Sequence, residues 1–123
     1  MILGILFSFL SVVFGAFGAH ALRSYVPVES FAIWNTAVHY QFFHALALLV
    51  YSLWNKEKKS FVPWIFSFGI LFFSGSLYLL VLTSFKKWGL VTPIGGVLFL
   101  LGWVVWGIEV VKRKFTDNKN SHL

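Results

Sequence analysis

Four long stretches, Met1 to Leu22, Ser30 to Asn55, Ser60 to Phe85 and Trp88 to Ile108, contain no Asp, Glu, Lys or Arg, and the charged residues gather between and after them. A helix rising 1.5 Å per residue needs about 20 residues to cross roughly 30 Å of hydrocarbon, and each stretch is long enough. Period-2 alternation is absent, so the backbone must satisfy its own N–H and C=O groups as helix. The pattern predicts an all-α membrane protein: a four-transmembrane-helix antiparallel bundle with helices over about 2–22, 34–54, 62–84 and 89–111. No soluble domain remains, and 112–123 reads as a basic, disordered cytoplasmic tail. Pro63 suits a first helical turn, Pro93 is tolerated only near a helix start, and Asn55 with the run Lys56-Glu57-Lys58-Lys59 is too polar to enter lipid.

Small residues recur inside these helices. Gly4, Ser8, Ser11, Gly15 and Gly18 alternate at spacings of four and three, which places them on one stripe. Gly69, Ser76 and Thr83, with Ser74 and Gly75 beside them, make a second seam, and Gly95, Gly102 and Glu109, with Thr92 and Gly96, a third. Such seams let backbones approach closely where lipid offers no hydrophobic drive between helices. Leu3, Phe7, Leu10 and Phe14 are left to face lipid or neighbouring aromatic rings.

Composition agrees: 59% hydrophobic, 20% aromatic and 11% charged residues over 123 positions lie outside the soluble range. The net charge of +6 resides at helix ends, so it reads as a positive-inside signal and not as a nucleic-acid surface. With four spans, Lys56, Lys58, Lys59, Lys112, Arg113, Lys114 and Lys119 share one side, and Arg23, Lys86 and Lys87 the other. Seven against three puts both termini in the cytoplasm of a multi-pass protein of the cell membrane. Ala19-His20-Ala21 mimics a signal cleavage site, but no Lys or Arg precedes the apolar run, so a span is expected there. Without cysteine there is no disulfide, thiolate metal site or cysteine nucleophile.

The remaining candidate chemistry is AVHYQFFHALALLVY at 37–51, with His20 closing GAFGAHAL at 15–22. At 100° per residue, Thr36, Ala37, Tyr40, Gln41, His44, Ala47 and Leu48 share the arc expected to face the bundle, with Val38, Phe42, Leu46 and Leu49 opposite. His39 points about 140° away from His44, so the two are not an i, i+4 metal pair. His39, Tyr25, Trp34 and Trp88 read as members of an interfacial aromatic belt. His20, His44 and Gln41 converge if the first two helices pack antiparallel, and an intramembrane histidine is a functional-site candidate. Glu109, one turn before Lys112 and Arg113, reads as an interfacial ion pair.

Motifs of the chain resemble the YwdK-type family of small membrane proteins, family 423 of the domains of unknown function, with TMEM-type relatives in eukaryotes. The resemblance rests on GAFGAHAL, on Trp34 followed by TAVHYQFFHALALL at 36–49, on FFSGSLYLLVLT at 72–83 and on TPIGGVLFLLGW at 92–103. It covers nearly everything between the first helix and the tail; where the family often has glycine after the histidine, this chain has Ala21. It implies a four-helix membrane protein with no agreed activity, and its motif residues here are Gly15, Gly18, His20, Tyr40, Gln41, His44, Ser74, Gly75, Ser76, Tyr78, Thr92, Pro93, Gly95 and Gly96.

Three readings follow. Numerous small-residue seams and few reactive groups favour a non-enzymatic packing or accessory module whose partners are the lipid bilayer and a second copy or a larger membrane complex, with no cofactor and no nucleic acid. The polar cluster of His20, Tyr40, Gln41, His44, Ser74 and Ser76 would then fix helix register. The alternative is a binding or transport protein that presents this outer-half histidine cluster to a quinone, lipid, metal ion or proton. A membrane enzyme ranks third, because no nucleophile or acid–base pair is placed for work.

Overall fold

The computed structural model describes residues 1–56 and 59–122. Among these the chain is entirely helical and strandless: α1 Ile2–His20, α2 Val28–Trp54, α3 Val62–Thr83 and α4 Thr92–Ser121. Short 3-10 turns at Leu22–Ser24 and Lys86–Leu90 join α1 to α2 and α3 to α4.

Two boundaries differ from expectation by six residues or more. α2 starts at Val28, not at 34, because Pro27 holds an extended φ/ψ at the cap and Glu29 sits in the first turn, where the helix dipole favours an acid. The presumed disordered tail is instead helix through Ser121, since 112–121 contains neither Gly nor Pro and Thr116 bonds back to the Lys112 carbonyl.

α1 packs on α2, α2 on α3 and α3 on α4. Met1, Asn55, Ser60 and Lys59 line one cleft and Asn55, Lys59, Glu109 and Arg113 the next, so the start of α1, the α2–α3 connection and the later part of α4 meet at one end. One core cluster centres on Phe7, Leu48, Val62, Phe66 and Phe99, and a second on Leu22, Trp34, Ala37, Tyr78 and Val81. Outward positions are apolar too, as Ile5, Phe9 and Val12 on α1 and Val97, Leu100 and Val104 on α4 illustrate. That inversion suits lipid as solvent.

Three helical segments, Ile2–His20, Val62–Thr83 and Lys86–Ser121, are long and apolar enough to cross a membrane. α2 is less apolar than α1 and α3, between which it lies, with Trp34, Ala37, Gln41, His44, Ala45, Ala47, Leu48 and Tyr51 buried. Two neighbours bury more of α2 than the single expected arc: Val38 faces Gly15, and Leu49 and Ala45 face Gly4. Trp34 is only 2% exposed and sits against Gly18, not in an interfacial belt.

The α3–α4 seam is the closest helix contact. A Cβ at Gly95 would overlap the backbone nitrogen of Phe73 and come within 2.6 Å of its Cα, so only glycine fits. Gly69 receives the Phe99 ring and Gly102 the Phe66 ring. Gly75 has nothing within 4 Å and Gly96 touches only the edge of Phe73, so these two are not tight packing points. Ser11 bonds back to the Ser8 carbonyl within its helix, while the buried Ser8 hydroxyl meets no partner among the described residues.

Candidate functional site

Gln41 is the midpoint of Val28–Trp54 and ties three helices together. Its Nε2 donates to the Phe7 carbonyl of α1 at 2.8 Å, and its Oε1 accepts from the Tyr78 hydroxyl of α3 at 2.7 Å. One turn on, His44 Nε2 accepts from Trp103 Nε1 of α4 at 3.0 Å. An indole N–H can only donate, so the imidazole proton must lie on Nδ1, which donates to the Tyr40 carbonyl at 2.8 Å. The His44 ring stacks on Phe99 with centroids 3.6 Å apart and 9° between planes.

The serines complete this polar core. Ser74 donates to the Ala37 carbonyl at 2.7 Å, joining α3 to α2, and Ser76 meets Thr92 at 2.6 Å where α4 begins. Trp34 Nε1 donates to the Phe14 carbonyl at 2.8 Å, a second bond from α2 to α1. Neutral bonds of this kind make each helix–helix register a single choice, because a slip of one residue would orphan a donor in lipid.

His20 and Tyr40 do not join the core as the pattern suggests. His20 ends α1 with its side chain exposed, and His39 is exposed as well. The Tyr40 side chain is half-exposed against Phe73, contributing its carbonyl and not its hydroxyl. No three His, Cys, Asp or Glu side chains converge on a metal-sized site among the described residues.

A second polar cluster, at the end shared by Met1 and Arg113, was not anticipated. Glu109 accepts from the Tyr51 hydroxyl at 2.6 Å and from the Ser60 hydroxyl, in place of the expected pairing with Lys112 or Arg113. Asn55 donates to the same Tyr51 oxygen at 2.8 Å. Arg113 turns to the Trp54 carbonyl and to Asn55 Oδ1, with its guanidinium 3.9 Å from the centroid of the Trp54 ring. The signal that could have found this network is Glu109 itself, the lone acid between Ser60 and Lys112.

A small membrane protein with a neutral polar core is the class that these helices define. The family described as "Protein of unknown function (DUF423)" matches residues 14–96, and the chain belongs to it. It is 43% identical over 115 residues to UPF0382 membrane protein SAB0533 of Staphylococcus aureus, covering 91% of this chain and 94% of that one. It is 44% identical over 115 residues to UPF0382 membrane protein SERP0230 of Staphylococcus epidermidis, with the same 91% and 94% coverage. UPF0382 membrane protein YwdK of Bacillus subtilis is 37% identical over 117 residues, 91% of this chain and 95% of that one. No solved structure matches.

Proposed function

We propose that this chain is a non-enzymatic, four-span module of the cell membrane that packs against a second copy or a larger membrane complex. In this reading α2 is the fourth span, both termini are cytoplasmic, and the polar core of Gln41, His44, Ser74 and Ser76 sets helix register. One observation carries it: both ends of the Gln41 amide and both nitrogens of His44 are engaged by groups of the chain itself. A side chain kept for a ligand or a proton would hold a lone pair or an N–H open toward a cavity. The sidedness rests on the seven basic residues at the shared end against three at the other.

The test is a UV–visible spectrum with elemental analysis on protein purified in mild detergent, beside Gln41→Leu and His44→Leu. The expected result is colourless, metal-free protein whose thermal midpoint falls by several degrees in each variant. A stoichiometric chromophore or metal that His44→Leu loses would replace this reading with the ligand-binding one.

A further inference from the structure

At the shared end, Met1, Asn55, Lys56, Lys59, Phe61 and Trp64 line an open cleft of about 690 Å³ between the end of α2 and the start of α3. That volume lies within the roughly 300–1,000 Å³ typical of small-molecule sites. Its neutral polar groups are already engaged: Ser52 donates to the Leu48 carbonyl, Tyr51 to Glu109, and Ser60 to Glu109 while accepting from the Val62 N–H. Among the described residues the two cations are not. Lys56 and Lys59 are exposed and have no carboxylate partner among the described residues. Of the described acids, Glu109 lines the adjoining cleft with Lys59, and both of its oxygens accept from hydroxyls.

The apolar wall has its own character. Phe61 is 79% exposed and Trp64 58% exposed, at the level where the helices leave the apolar stretch. Exposed Trp beside exposed Lys is the combination suited to a lipid headgroup: the ring sits among glycerol and acyl carbons while ammonium groups meet phosphate.

We infer that this cleft is a binding site for the phosphate head of an anionic phospholipid, held by Lys56 and Lys59 with Trp64 against its glycerol and upper acyl chain. The site rests on the reading that α2 and α3 both cross the membrane. The two fail separately, since headgroup preference is measured in detergent with no assumption about topology.

The experiment is native mass spectrometry of the full chain in mild detergent. The probes are a phosphoglycerol phospholipid, a phosphocholine phospholipid of the same acyl chains, and water-soluble glycerol 3-phosphate. The phosphoglycerol lipid should bind about thirtyfold more tightly than the phosphocholine lipid, the scale expected for two basic side chains near a phosphate. That preference should fall to near parity in Lys56→Gln/Lys59→Gln and persist in Lys86→Gln/Lys87→Gln at the other end. Trp64→Ala should weaken both lipids alike, leaving the preference intact. Equal binding of the two lipids by the unaltered chain would overturn the assignment, as would an equal loss in the two lysine pairs. Glycerol 3-phosphate binding as tightly as the lipid would assign the cleft to a free phosphate and overturn it also.

Discussion

The polar groups at the middle of α2 and those at its C-terminal end are built by different rules. In the middle, Gln41 and His44 are neutral, buried and matched donor to acceptor, with partners on three other helices. At the end, a carboxylate, a guanidinium and two exposed lysines surround open clefts, and the bonds run among half-buried groups. If α2 is the fourth span, as proposed above, depth explains the difference. An unmatched polar atom in hydrocarbon has no water to turn to, whereas one at the interface does. Full matching therefore marks the region where the chain fixes its own packing, and incomplete matching marks the region where it can meet something else.

The largest expected effect lies at the closest approach of α3 and α4. Gly95→Leu should cost about 3 kcal/mol or more, the upper range for overpacking, because the obstacle is the Phe73 backbone and not a side chain that can rotate. Circular dichroism on heating in detergent reads it, with Gly75→Ala, which meets nothing within 4 Å, as the near-neutral comparison. Retained stability in Gly95→Leu would mean that the α3–α4 seam is wrong.

Next comes the contrast between the two polar regions. Gln41→Leu strands the Tyr78 hydroxyl and should cost about 1–3 kcal/mol, the range for leaving a buried partner unsatisfied. Glu109→Leu removes the acceptor of Tyr51 and Ser60 where water can replace it, and should cost about 1 kcal/mol or less. Denaturant titration followed by circular dichroism orders the pair; a larger loss in Glu109→Leu would reverse the contrast. The smallest effect belongs to His20→Ala, expected within about 0.5 kcal/mol because the side chain is exposed and bonds nothing among the described residues.

How far the sequence disclosed these regions depends on the range of the contact. Apolar run length located α1 and α3 closely, because crossing a bilayer is a matter of consecutive residues. Periodicity turned Gln41 and His44 inward on α2, but it could not choose Phe7, Tyr78 or Trp103, which lie on other helices. Glu109 was misread for the same reason: its neighbours in sequence are Lys112 and Arg113, and its actual partners are Tyr51 and Ser60, 58 and 49 residues away. The start of α2 and the burial of Trp34 were hidden because residues 28–33 are mixed in polarity and gain their helix from the Pro27 cap and from packing on α1. Antiparallel packing of α1 on α2 is the ground for placing His20 with the core; the two helices do pack so, Gly18 against Trp34 and Gly4 against Leu49, but His20 closes α1 and its side chain is exposed.

Whether α2 crosses the membrane as a fourth span is the point on which the rest turns, and a chain without cysteine is well suited to testing it. Single variants Ser24→Cys, Lys56→Cys and Lys87→Cys would be exposed to a membrane-impermeant maleimide on intact cells and again after the membrane is opened. Four spans with cytoplasmic termini predict labelling of Ser24→Cys and Lys87→Cys from outside, and of Lys56→Cys only after opening. Ser24→Cys and Lys56→Cys reacting from the same side would contradict the account, because α2 would then lie within one leaflet and its matched polar core would need another explanation.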